Sequence, residues 1–599
     1  MTEKTVNIEK VESTLLEVAR AYTSSPSISV VLGSYVLYIA RNTPELTELE
    51  DILDKNNVSS FLREAIIEHI GGHWNEYRPL LTTFSQFELA EYFKNRVNGD
   101  RLCESGRKSG LSSSMPVVEL VANILDIRQG ESVCDLGCSV GDFVYRASQS
   151  GALRIVGYEI TKDSAAIAQA RMRTVCGNAD VDIKHFDVFA EGTWEETFDK
   201  VFCEPPFGVR RLPESESVKH FFGSFFCNRL PKFPDLPLSM AGDWLFAARA
   251  VAAMKDGGRA VVILPPSAMF GVASAPYRRY FIENNLIEAV VELPERIFEH
   301  TGISTYLVIF KRGSEAVKMV SAGDLYRKGR RNNVITDDHI KIVMRALGLS
   351  EADDGRDRSR YVKKVGKREL LKKDCEETLY DLSVKKLFAD SEIFTESVEL
   401  KNFVQQAKRG ATILSAELDK LACDGETDCL YVAPGNISDG VLDSKLMNLT
   451  EIPEKYKAYC AKTGDLIVSR VSASGAGFKT AVVETAEDKL VLPNGNLVVI
   501  SIDKGKADPY FIKACLDSDY VQRYLQNFSV GSAVVTLNYK NLGNLRIPKM
   551  PRERQREVAE ACRVCAKSVA ELREKLACAK QSLGNVLAEI APEYIKSSN

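Results

Sequence analysis

No stretch of the 599 residues reaches the roughly 18–20 consecutive apolar side chains that a membrane-spanning helix needs. Met1 to Lys10 is polar and carries no apolar signal core, so secretion is not expected. No Gly-x-x-x-x-Gly-Lys-Ser/Thr phosphate loop occurs, so no ATP-driven translocase is expected. A carboxylate–lysine cluster of nuclease type is also missing ahead of the central region. Metal ligands are sparse. His69 and His73 lie four apart with no third ligand nearby, and Cys562-x-x-Cys565 has no second pair, so no metal centre is expected. Charge of one sign is lacking too: 78 Lys+Arg against 82 Asp+Glu leave −4. Beyond residue 400 the count is 27 basic against 24 acidic, or +3, which leaves −7 for the rest. A near-neutral total does not exclude nucleic acid, because DNA-binding enzymes often confine positive charge to one face.

What is present is ordinary for a globular chain: 45% apolar and 27% charged residues. The length predicts about three to five domains. The 14 cysteines are scattered through a chain too long to need disulfide staples, and read as free thiols in a reducing cytoplasm.

Residues 1–100 read as a helical domain, with apolar spacings of three and four over 11–21, 46–55 and 61–70. From about 130 to 312 short apolar strands alternate with helical stretches. The strand-like segments are 132–136, 154–158, 182–186, 200–203, 259–264, 288–293 and 304–310, with helical patterns over 163–175 and 243–254 between them. This alternation predicts an α/β fold, a mostly parallel sheet with helices on both faces. Residues 321–400 are polar and basic and read as a linker region. One cluster is Arg327, Lys328, Arg330 and Arg331; another runs from Arg356 to Arg368. Such runs are either solvated linker or a track for a phosphate backbone. Residues 401–550 change to short strands and Gly turns. In 551–599, Val558, Cys562, Cys565, Val569, Leu572, Leu576, Ala579, Leu583, Val586 and Ile590 follow a 4-3 alternation, a heptad seam that predicts a coiled-coil helix and puts both cysteines of the Cys-x-x-Cys pair on it.

The chemistry concentrates in the central region. The first strand runs into Asp135-Leu136-Gly137-Cys138-Ser139-Val140-Gly141-Asp142-Phe143, where glycines let the backbone approach a ligand at the next helix. The second strand ends at Glu159, an acceptor suited to ribose hydroxyls. These two features alone fit a dehydrogenase equally well. The third strand ends near Asp187, a partner for a nucleobase amine. The fourth ends in Glu204-Pro205-Pro206-Phe207. Two prolines fix this backbone, so that the aromatic stacks on a flat substrate while Glu204 and the Pro205 carbonyl accept amine hydrogens.

At this point residues 100–320 resemble the S-adenosylmethionine-dependent amino-methyltransferases acting on DNA adenine, most nearly the modification subunit of type I restriction–modification systems. The likeness continues through Gly257-Gly258-Arg259, Leu264-Pro265-Pro266, Val291-Glu292-Leu293-Pro294-Glu295-Arg296-Ile297-Phe298 and Thr301-Gly302-Ile303-Ser304-Thr305-Tyr306. The chain departs from that pattern in three places: Glu204 replaces Asn or Asp, Ser139 replaces a glycine, and Met115-Pro116 replaces Thr-Pro. The resemblance implies a Rossmann-like methyltransferase domain over 101–320. Asp135, Gly137, Gly141, Phe143, Glu159, Asp187, Met115 and Pro116 would hold S-adenosylmethionine without a metal, and Glu204, Pro205, Pro206 and Phe207 would be catalytic. Residues 405–550 resemble an α+β target-recognition domain of a type I specificity subunit, through Tyr431, Gly435-Asn436-Ile437-Ser438-Asp439-Gly440, Lys462-Thr463-Gly464-Asp465-Leu466-Ile467-Val468-Ser469-Arg470, Asn494-Gly495-Asn496-Leu497 and Gly531-Ser532-Ala533. Arg470, Ser472, Ser474 and Ser532 are the candidate DNA contacts. The expected partners are double-stranded DNA, a second copy of the chain through the C-terminal helix, and a separate restriction subunit; no membrane partner is expected. Two other functions fit the residues less well: a catalytically silent DNA-binding subunit, fed by Glu204, and a methyltransferase for protein or RNA.

Overall fold

A computed structural model describes residues 8–95, 97, 114–176, 179–190, 196–206, 229–230, 233, 242–298, 302–330, 332–350, 360–371, 380–389, 394, 396–473, 477–486, 489–519, 521–522, 525, 534–536, 542–543 and 545–590. The chain divides into two compact units, Met1–Val384 and Lys385–Asn599.

In the first unit the strands β1 (Ser132–Leu136), β2 (Arg154–Glu159), β3 (Asp180–His185), β4 (Phe198–Cys203), β5 (Met254–Leu264), β6 (Ile287–Glu292), β7 (Tyr306–Phe310) and β8 (Ala316–Ser321) join an edge strand, Val362–Gly366, in one nine-stranded sheet. Its order is edge strand, β8, β6, β7, β5, β4, β1, β2, β3. Strands β1 to β5 pair in parallel, and β7 lies antiparallel between β5 and β6. The inner strands β1, β2, β4, β6 and β7 are almost wholly buried on both faces, as a sheet covered by helices on each side requires, whereas β3 at one edge is largely exposed or half-buried. All seven strand segments read from the sequence are strands, with ends shifted by up to five residues.

The N-terminal helices Ile8–Tyr22, Leu49–Lys55 and Ser60–Ile70 match the predicted ones in place. The helix Pro26–Ala40 was not foreseen. It is buried on nearly every face, so it has no polar stripe and no helical period to read. Its Pro26 stands at the first turn, where a missing amide costs nothing. His69 and His73 do different jobs here: His69 Nε2 lies 3.2 Å from Asp163 Oδ1, and the His73 ring stacks on Tyr22.

The stretch 321–400, expected as linker, contributes to the first unit's core. Thr336 caps the helix Asp337–Leu347, whose Ile340, Val343, Ala346 and Leu347 join the cluster beneath the sheet. Val362–Gly366 pairs with β8. Charged residues alternating with apolar ones on an edge strand and an amphipathic helix look like a solvated run when only composition is read.

The second unit carries two four-stranded sheets. Val404–Arg409, Leu497–Ile502, Leu466–Ser469 and Thr480–Val482 form one; Ala422–Cys423, Met447–Leu449, Cys429–Val432 and Leu490–Pro493 form the other. Asp508 caps the helix Pro509–Asp517 by accepting from the Tyr510 amide at 2.8 Å. The C-terminal helix Arg552–Ile590 runs unbroken for 39 residues. Val558, Ala559, Cys562 and Ala566 pack into the core beside the helix Pro509–Asp517. Cys565, Leu572, Leu576 and Leu583 of the heptad seam are exposed.

Gly157 in β2 shows how tightly the first unit is built. A Cβ there would lie 2.8 Å from Ile183 Cδ1 and 2.9 Å from Cys138 Sγ. The bare backbone lets the turn after β1 rest on β2. Gly157→Val is expected to lower stability by about 1–3 kcal/mol through overpacking, read as a drop in the denaturant midpoint. Gly130→Ala, at a position with open space around it but a φ of +85°, is the control for backbone strain alone.

Candidate active site

The parallel strands β1, β2 and β4 end at one edge of the sheet, and the residues that follow them form the site. After β1 the chain turns through Gly137 at φ +98°, Ser139 at +48° and Gly141 at +84°. The amides of Gly137 and Cys138 both donate to the Tyr158 carbonyl at 2.8 Å, and the Gly141 amide closes the turn on Cys138 O at 2.8 Å. A Cβ on Gly137 would stand 3.7 Å from the backbone oxygen of Glu204. The glycine turn and the Glu204-Pro205-Pro206 segment are therefore immediate neighbours. Ser139 holds a left-handed conformation that glycine adopts without cost, and its amide donates to Glu159 Oε2 at 2.9 Å.

Glu159 accepts a second bond from the Thr161 amide to Oε1 at 2.7 Å. Each of its oxygens has a further lone pair for a ligand hydroxyl. Glu204 and Pro205 are buried at the end of β4, while Pro206 is exposed. Asp187 stands exposed just past β3, its Oδ1 accepting from the Phe189 amide at 2.9 Å. Met115 and Pro116 form the first turn of the helix Met115–Leu125, which runs down the sheet into β1 and so starts at the same edge.

Phe143 stands differently from the others. It is turned into the core, 2% exposed, with its ring 4.7 Å from that of Phe202. It supports the turn from below and offers no face to a ligand. Phe207, Ser474 and Ser532 lie outside the described residues. In the second unit, Arg470 is held by its own domain: its Nη1 donates to Gly495 O at 3.2 Å, where Arg409 Nε also donates at 2.7 Å. Ser472 Oγ donates to Gly477 O. Arg470 is thus tied to the turn at Gly495, and Ser472 to Gly477.

Two arginines escaped the sequence reading. Arg171, 1% exposed, meets Asp142 at 2.7 Å and fixes the helix that follows the glycine turn to the helix Lys162–Val175. Arg249 donates from Nε to Val188 O at 2.9 Å and so ties down the loop that carries Asp187. Burial brings its guanidinium down to about 9. The available signal was an arginine inside an otherwise apolar helix face.

Four carboxyl groups, Asp135, Asp142, Glu159 and Glu204, are buried around the turn. Asp142 is compensated by Arg171 and Glu159 by two amides. Oδ1 of Asp135 has no hydrogen-bond partner among the described residues. Burial first, and then Glu204, Glu159 and Asp142 as like charges, push the Asp135 carboxyl well above the usual range. A turn ringed by buried carboxyl groups disfavours an anionic pyrophosphate and accommodates a cation.

A carboxyl whose pKa is raised on folding costs stability above its unfolded value and costs none below it. Asp135→Asn is therefore expected to raise the melting temperature near pH 7 by ~2–4 °C, about 1 kcal/mol for a domain of this size. The gain should vanish as the pH falls below the ordinary carboxylate range, which thermal melts across pH would record.

Residues 113–393 match the family model described as N-6 DNA Methylase. Among curated proteins the chain is 21% identical over 366 residues to the type I restriction enzyme MjaIX methylase subunit of Methanocaldococcus jannaschii, covering 56% of this chain and 61% of that one. It is 20% identical over 362 residues to the type I restriction enzyme MpnII methylase subunit of Mycoplasma pneumoniae, covering 54% and 63%. The chain thus spans about three-fifths of the length of these relatives. A solved methyltransferase subunit of a type I restriction–modification system from Streptococcus thermophilus aligns with a TM-score of 0.45 at 18% identity, over 62% of this chain and 98% of that one. The span matched by the family model, somewhat less than half of the chain, holds β1 to β8, the glycine turn and Glu204.

Proposed function

We propose that the protein is a sequence-specific DNA adenine N6-methyltransferase that uses S-adenosylmethionine and carries its own recognition domain over 401–550. The observation that carries the reading is the contact of the Gly137 turn with Glu204-Pro205, beside the buried carboxyl of Asp135. A dinucleotide-binding dehydrogenase would bring a pyrophosphate to that turn, against four buried carboxyl groups. S-adenosylmethionine supplies an electrophilic methyl group on a sulfonium cation, and the acidic wall suits that charge. Glu159 accepts ribose hydroxyls with its remaining lone pairs, and Asp187 accepts an adenine amine with Oδ2. Met115 and Pro116 border the pocket from the helix start.

On the substrate side, an adenine amine is unreachable inside the duplex, so the base has to be extruded. Glu204 and the Pro205 carbonyl accept the two amine hydrogens and hold the nitrogen lone pair toward the methyl donor, while Phe207 stacks on the ring. Positioning supplies most of the rate. In the second unit, Arg470, Ser472, Ser474 and Ser532 are the contacts to bases or phosphates.

Glu204 itself favours a second reading. Its acceptor sits one methylene farther from the backbone than that of Asn or Asp, and a ~1 Å error can cost about a hundredfold in rate. The second reading is a catalytically silent, sequence-specific DNA binder. The parent, Glu204→Asn and Glu204→Ala are to be compared for methyl transfer to DNA, with S-adenosylmethionine binding followed by calorimetry. Activity in the parent and a loss of about a hundredfold in Glu204→Ala are expected. An inactive parent beside an active Glu204→Asn makes the silent binder correct. An intact protein that binds no S-adenosylmethionine, with or without DNA, overturns both.

The assembly follows from the C-terminal helix. Leu572, Leu576 and Leu583, 64%, 54% and 76% exposed, continue a seam whose first turns are packed. Pairing of two copies along that seam covers it and joins two identical recognition domains, so the methylated site is a palindrome. A separate restriction subunit is a further partner compatible with this arrangement. Light scattering is expected to report a dimer, and Leu572→Glu with Leu576→Glu a monomer. A monomeric parent with DNA bound, or an asymmetric methylated motif, would count against pairing.

A further inference from the structure

The basic stretch after β8 forms a short hairpin. Arg327–Lys328 pairs antiparallel with Asn333–Val334, in the register Lys328 with Asn333 and Arg327 with Val334. Gly329 permits the turn, since a Cβ there would meet Asn332 O at 2.2 Å. The hairpin is anchored at its base. The Asn333 amide donates to Arg296 O at 2.7 Å, and Asn333 Nδ2 donates to Glu295 O at 2.8 Å. Leu325 and Ile335, on either side, are buried in the main core.

Arg327, Lys328 and Arg330 are exposed on this anchored turn. Arg360 is exposed beside them, because the Ser321 amide at the end of β8 donates to Tyr361 O at 2.9 Å. None of the four makes an ion pair among the described residues. Elsewhere on the same unit some surface cations are paired, as Arg128 is with Asp126 and Arg279 with Glu283, and single ones such as Arg20, Lys55, Arg78 and Lys311 make no ion pair among the described residues; the hairpin differs in mounting several together. Asp324 and Asp337, near the hairpin in sequence, form no ion pair with it among the described residues. A fold that leaves cations side by side, unpaired and rigidly mounted gains nothing internally from them.

Their position gives them a use. Strand β8 is parallel to β6, β6 and β5 each run antiparallel to β7, and β5 is parallel to β4. The hairpin therefore projects from the same edge of the sheet as Glu204. Four strand spacings of ~4.8 Å separate β8 from β4, roughly 20 Å. At 3.4 Å per nucleotide step along one strand, that is about six base pairs from an extruded base.

We propose that Arg327, Lys328 and Arg330, with Arg360 beside them, grip the sugar–phosphate backbone of duplex DNA on the flank of the methylation site. The inference rests on the DNA-methyltransferase reading and assigns this surface to sequence-independent holding, apart from base recognition in the second unit. Phosphate contacts position a duplex and release counterions, so they leave a mark in salt dependence.

The test uses the full-length protein and its Arg327→Ala, Lys328→Ala, Arg330→Ala triple variant, with fluorescence anisotropy on duplex DNA over a range of salt. The expected result is a loss of affinity of roughly a hundredfold near 0.15 M salt and a log–log salt slope shallower by about 2–3, equal for every duplex sequence. An Arg327→Lys, Arg330→Lys variant, with Lys328 unchanged, should keep the slope. Calorimetric binding of S-adenosylmethionine should be unchanged in both, which shows the fold intact. A triple variant with the parent's affinity and slope overturns this proposal and leaves the methyltransferase reading standing. A loss confined to one DNA sequence also overturns it, since that is base reading. A parent that binds no duplex DNA overturns both.

Discussion

Asp135, Asp142, Glu159 and Glu204 bring four carboxyl groups into the interior around one turn, where water cannot solvate them. Each needs an opposing charge or a hydrogen-bond donor, and the first unit is organised by how each is met. Arg171 crosses from a neighbouring helix to reach Asp142. Glu159 draws in the amides of Ser139 and Thr161 and, in doing so, holds Ser139 in its left-handed conformation. Asp135 is left with an oxygen that no described group satisfies. The compensation is graded: complete where the carboxylate is structural, and open where a cationic ligand would complete it.

That grading depends on close packing. Gly157 allows Cys138 to lie against β2, and Gly137 allows the turn to meet the backbone of Glu204. The glycine turn and the Pro-Pro turn are fixed to each other through backbone rather than through flexible side chains, which gives low tolerance for displacement. Phe143 and Phe202 pack against each other beneath them and Arg249 holds the Asp187 loop, so the support comes from buried residues.

The sheet and the order of its turns were legible in the sequence because buried parallel strands are uninterrupted apolar runs and because Gly and Pro mark their ends. The helix Pro26–Ala40 was not, since burial on all sides erases the helical period. Nor was the helix Asp337–Leu347, whose charged face outweighs four core residues in a composition count. Within the site, the positions of Asp135, Glu159 and Glu204 were readable from spacing, whereas their mutual compensation was not. Arg171 is 29 residues from its partner Asp142, and no local pattern links them. Nor were the internal partners of Phe143 and Arg470 readable: the first packs on Phe202 and the second bonds the Gly495 carbonyl, contacts that no local pattern announces.

The underside of the site has a chemical consequence of its own. Cys134, Cys138 and Cys203 lie buried at the ends of β1 and β4, and burial pushes all three thiols well up from their usual range. Held as protonated thiols away from solvent, they are inert toward oxidants and electrophiles in the folded protein. Cys565 and Cys578 on the exposed C-terminal helix have no such protection. Among the described cysteines, oxidation would therefore reach Cys565 and Cys578 on this helix well before Cys134, Cys138 and Cys203, which are exposed only once the sheet opens.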